Sequence, residues 1–169
     1  MNKRKLLPPL AAGFAASVLS TVPGLKNASC CLIIPLASVF ALFLYSKMNN
    51  ITEKFRTGEA VYLGFMTGIF GALFTTFFEI VITYVARSNE FIEILPQTEA
   101  AMRELNLGPM LDTSLELLRQ MAKEIKATGF SAIYSIGMLF SNLLMYSIFG
   151  MLGGILGTII LNRRTGNRQ

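Results

Sequence analysis

Four stretches of this chain, residues 6–25, 27–46, 60–78 and 127–161, contain no charged residue, and each is at least nineteen residues long. About 20 mainly apolar residues suffice to cross the hydrocarbon core of a bilayer. Lipid offers the peptide groups no partner, so each stretch must bond its own backbone as a helix. The chain therefore reads as an all-α integral membrane bundle of four transmembrane helices. The expected spans are about 6–25, 27–46, 60–86 and 130–161, with a helical extracytoplasmic loop over 87–126. All 169 residues form one membrane domain, whose first partner is the lipid bilayer.

Composition and charge placement agree with that reading. The chain is 53% hydrophobic and 15% charged, where soluble domains are roughly a quarter charged. A net charge of +5 raises nucleic acid as a partner, but the placement of the charge argues against it. Nine of the fifteen basic residues flank apolar segments: Lys3, Arg4 and Lys5; Lys47, Lys54 and Arg56; Arg163, Arg164 and Arg168. The positive-inside rule puts all three groups in the cytoplasm. Four crossings satisfy this, and both termini then lie inside a cell inner membrane. The loop over 87–126 has five basic and seven acidic residues, so it carries no positive excess.

The first apolar run has a second reading as a signal peptide, since Lys3–Lys5 precede an apolar region and small residues. Retention keeps the crossings paired and is the reading adopted. Pro8, Pro9, Ser17, Ser20 and Thr21 make this the weakest span. Cys30 and Cys31 are adjacent, a spacing that suits neither a disulfide framework nor a zinc site. Histidine is absent, which removes the commonest general base and transition-metal ligand. No catalytic, metal or cofactor set is expected.

Punctuation along the chain sets the expected element ends. Pro23 and Gly24 make a tight turn between the first two spans, and Pro35 should kink the second. Phe55 and its basic neighbours are expected at headgroup level. In the loop, Pro96 should begin a short helix that Asn106-Leu107-Gly108-Pro109 ends. Thr113 with Glu116 resembles a capping box for a second helix, with Leu115, Leu118, Ala122 and Ile125 on one stripe. That helix lies on the membrane, packs on its partner, or continues through Gly129 into the last span.

The spacing with most physical content lies in the last two spans. Gly64, Gly68 and Gly71 precede Glu79 by eight residues from the last of them, and Asn142 precedes Gly150, Gly153 and Gly157 in the mirror-image steps. At about 100° per residue each set shares one helix face. Small residues let membrane helices approach closely. Antiparallel packing along these faces would bring Glu79 to the depth of Asn142. An ionisable residue within a span is a functional-site hypothesis by default. For Glu79 the competing reading is a protonated structural hydrogen-bonder.

A basic connector ends in Phe55-Arg56-Thr57-Gly58-Glu59-Ala60 and leads to the glycine-bearing helix. A charged outer loop follows, then a last helix containing Gly153-Gly154-Ile155-Leu156-Gly157 before Arg163-Arg164. This layout resembles an uncharacterised family of small four-helix bacterial membrane proteins, a domain of unknown function found in Bacteroidetes-type bacteria. The resemblance covers nearly the whole chain; it implies the bundle fold and inner-membrane location and carries over no active site. Pro8-Pro9 and Cys30-Cys31 depart from it. The function expected is that of a non-enzymatic structural or accessory subunit, as a homo-oligomer or within a membrane complex. The alternative is a small transporter or channel using Glu79 as a proton or cation site. A membrane enzyme ranks last.

Overall fold

The computed structural model describes residues 3–22, 29–51, 54–104 and 109–166. Those residues form six α-helices and one π-helical turn, and no strand occurs among them. The helices are α1 (Lys3–Ser20), α2 (Ile34–Met48), α3 (Thr57–Ala86), α4 (Glu90–Glu104), α5 (Pro109–Thr128) and α6 (Ala132–Gly166); the π turn is Ser29–Ile33. Three segments are long and apolar enough to cross a membrane: Cys31–Met48, Thr57–Ala86 and Ala132–Arg163. The apolar part of α1, Lys5–Ser20, is shorter than these. Its sixteen residues rise about 24 Å, against roughly 30 Å of hydrocarbon. The expected span over 6–25 is thus only partly helical among the described residues, and Pro23, Gly24 and the turn they make lie outside them. Tight turns close α1, with the Thr21 and Val22 N–H groups donating to Val18 and Leu19. The Ser17, Ser20 and Thr21 hydroxyls donate to carbonyls three or four residues back.

The chain divides into two compact units, one of residues 1–78 with 139–169 and one of residues 79–138. In the first unit α1 runs parallel to the beginning of α3, with Gly13 against Thr67, Phe70 and Gly71. α2 runs opposite to α3, Tyr45 meeting Glu59 at one end and Ile34 meeting Gly71 further along. α6 also runs opposite to α3, Gly154 meeting Ala60 and Gly68 meeting Tyr146. Two buried clusters fill the interior. One comprises Leu42, Tyr45, Phe55, Ala60 and Leu63; the other comprises Ala16, Ile34, Ala72 and Tyr146. Pro35 lies within the candidate span Cys31–Met48, as expected, and the helical path departs from α-geometry there in the π turn directly before α2.

The second unit holds the end of α3, α4, α5 and the start of α6. Asn89 caps α4, its side-chain oxygen accepting the Ile92 N–H at 3.1 Å. The helix therefore starts before Pro96, which lies inside it and does not begin it as expected. α5 starts at Pro109, so Thr113 and Glu116 lie inside the helix and do not box its start. Proline suits the first helical position because its ring already holds a helical φ. Residues 106–108 of the expected terminator lie outside the described residues. α5 buries Leu115, Ala122 and Ile125 of the expected stripe, together with Leu111 and Met121. Gly129, at φ +81, ends α5 and separates it from α6. A side chain there would meet the Tyr84 carbonyl oxygen 2.6 Å from its Cβ.

Candidate functional site

The glycines of α3 and α6 form two seams. An added Cβ on Gly64 would strike the Gly150 carbonyl, and one on Gly68 the Tyr146 carbonyl. From the other side, Gly150 abuts the Gly64 carbonyl and Gly154 the Ala60 carbonyl. Gly153 and Gly157 turn elsewhere. A Cβ on Gly153 would lie 2.5 Å from the Pro35 oxygen, and one on Gly157 3.2 Å from Leu42 and 3.3 Å from Val39. α6 thus carries two interleaved pairs four residues apart, Gly150/Gly154 on α3 and Gly153/Gly157 on α2. This corrects the single face expected from Gly150, Gly153 and Gly157. The two pair axes lie about 60° apart around the helix, close enough to read as one stripe. Gly71 lies near Ile34 of α2, Tyr146 of α6 and the Gly13 carbonyl of α1.

Polar groups inside the first unit are bonded mainly to their own helices. Thr67 donates to the Leu63 carbonyl, Ser38 to Ile34 and Thr158 to Gly154. The Asn142 amide crosses between helices and donates to the Thr76 hydroxyl at 3.0 Å. Glu79, the partner expected for Asn142, is half-buried one turn beyond Thr76 along α3 and belongs to the second unit. Thr75 is buried, with no hydrogen-bond partner for its hydroxyl.

A further network gathers where α1 and α3 begin and α2 ends. Lys5 Nζ and the Tyr45 hydroxyl both donate to Glu59 Oε1, at 3.0 and 2.9 Å. The connector is tied to α6 beside it: the Phe55 N–H donates to Asn162 Oδ1 at 2.8 Å, and Asn162 Nδ2 donates back to the Phe55 carbonyl at 3.3 Å. Phe55 is buried against Tyr45, their ring centroids 6.0 Å apart. Lys5, Glu59, Asn162, Gly13 and Gly154 are absent from the set expected from sequence. A signal exists for some of them. Gly154 follows Gly150 by four, Gly13 stands in a run of alanines, and Glu59 is an acid beside a basic cluster. Among the described residues no group of acidic and cysteine side chains is arranged to hold a metal ion.

These features define a class: an all-α bundle with three candidate membrane-spanning helices. Comparison with protein-family models, with curated proteins and with solved structures found no match.

Proposed function

We propose that the chain crosses the cell inner membrane four times with both termini in the cytoplasm, and that it serves as a non-enzymatic structural or accessory subunit of a membrane assembly. Membership of the small four-helix bacterial family belongs to the same proposal. The alternating directions of α1, α2, α3 and α6 in the first unit support the crossings. A first helix somewhat shorter than the hydrocarbon core is accommodated by local thinning and by Lys5 reaching to the headgroups.

The observation that carries the function is the placement of bulk. Glycine seams bring helix backbones into contact inside the bundle, while Leu36, Phe40, Phe77 and Leu144 stand on its surface, each about half exposed or more. Apolar surface of that extent on a membrane bundle receives lipid or partner helices. The test is purification of the tagged protein from its native membrane in mild detergent, with mass spectrometry of what travels with it. A companion at fixed stoichiometry, or a homo-oligomer, is expected; a bare monomer overturns the subunit reading.

One observation favours the transport reading. Thr75, Thr76, Glu79 and Thr83 place four polar side chains in succession along α3. Proteoliposomes that conduct protons or cations, and stop on Glu79→Gln, would make that reading the better one.

A further inference from the structure

The starts of α1 and α3 border an open groove of about 510 Å³, lined by Lys5, Arg56, Gly58, Glu59, Tyr62 and Leu63. Two cations in this lining face one carboxylate, leaving a surplus of one positive charge. Lys5 donates to Glu59 and keeps further N–H donors, its side chain being half exposed. Arg56 lies near enough to act on Glu59 through its charge and is itself exposed. A guanidinium presents five donors in a planar fork suited to phosphate oxygens. Beyond the groove, Tyr62, Ile69 and Leu73 follow one another along one face of α3, and Tyr62 and Leu73 are each about two-fifths exposed. A basic groove thus opens at the head of an apolar stripe on a membrane-length helix.

We propose that this groove binds the phosphodiester headgroup of an anionic membrane lipid, whose acyl chains lie along the Tyr62–Leu73 face. The charge balance fits. A phosphodiester carries one negative charge, which matches the surplus that remains after Glu59 has neutralised one cation. The continuous apolar face distinguishes a lipid from a soluble phosphate, which would gain nothing from it. Glu59 then has two effects on the site. It holds Lys5 in place, and its charge lowers the affinity for the lipid.

The test uses the full-length protein in detergent, titrated with phosphatidylglycerol or phosphatidylcholine of matched chains, with occupancy read by native mass spectrometry. Phosphatidylglycerol should be preferred. Arg56→Gln should weaken that preference about fivefold, the scale of one basic residue at a lipid surface. Glu59→Gln keeps an acceptor for Tyr45 while removing the opposing charge, so it should strengthen binding by a similar factor. If Glu59 serves only to brace the helices, its substitution gives loss or no change, which overturns the proposal. Lys47→Gln removes the same charge outside the groove and should leave the preference intact; an effect equal to that of Arg56→Gln would show unspecific attraction and overturn it. Displacement of the lipid by glycerol phosphate at equal concentration would assign the groove to a soluble anion and overturn it as well.

Discussion

Gly64 and Gly68 have no room for one added carbon, because the atoms they face are backbone carbonyls of α6. A flexible side chain would swing aside, whereas a helix backbone must translate as a whole. Gly68→Ala should therefore destabilise the protein by at least about 1–3 kcal/mol, the range of overpacking in a filled interior. Gly137→Ala should be tolerated, since nothing lies within 4 Å of the added carbon. Thermal unfolding in detergent compares them directly; equal behaviour of the two variants would refute the seam. The small-residue steps of three and four were legible at this scale, but their division was not. Residues 150–157 contain two overlapping four-residue pairs, and only the placement of α2 beside α3 decides which pair serves which helix. Lys5 and Glu59 lie 54 positions apart, so their meeting depends on α1 running parallel to α3.

Helix ends are hard to place from sequence where two signals compete. Gly129, which from sequence alone leaves open a passage from α5 into the last span, instead separates α5 from α6, with a positive φ and the Tyr84 backbone against it that disfavour any side chain. Pro96 has the sequence signature of a start but lies within α4, because Asn89 supplies the cap seven residues earlier. Likewise, Pro109 starts α5 ahead of the Thr113–Glu116 pair. α4 and α5 are joined by Arg119, whose Nε and Nη2 donate to the two Glu99 oxygens at 2.8 and 2.6 Å. Those bonds hold the Glu99 carboxyl below the usual carboxylate range and raise the Arg119 guanidinium. A carboxylate with a depressed folded pKa stabilises above its unfolded pKa, about 4.3. That contribution fades as pH falls through the lower folded value. Amide exchange in α4 should therefore quicken relative to the α3–α6 seam as pH drops from 6 to 3, after correction for the intrinsic rates. Glu99→Gln should remove most of this dependence; an unchanged profile in that variant would refute the link.

For the whole molecule, hydropathy marks the helices, and the placement of the basic residues is the reason for the sides proposed for them. Three segments have membrane length, while the first helix is short and closed by serine and threonine bonded to their own backbone. The number of crossings therefore turns on whether α1 spans, and its parallel course beside α3 is the physical reason to expect that it does. The direct test is a labelling scan with a membrane-impermeant maleimide in spheroplasts, using single cysteines in a background with Cys30→Ser and Cys31→Ser. Ser88→Cys should react in intact spheroplasts, while Lys3→Cys, Lys54→Cys and Arg163→Cys should react only after permeabilisation. Reaction of Lys3→Cys in intact spheroplasts with Lys54→Cys protected would leave an odd number of crossings between them and contradict the four-helix membrane bundle.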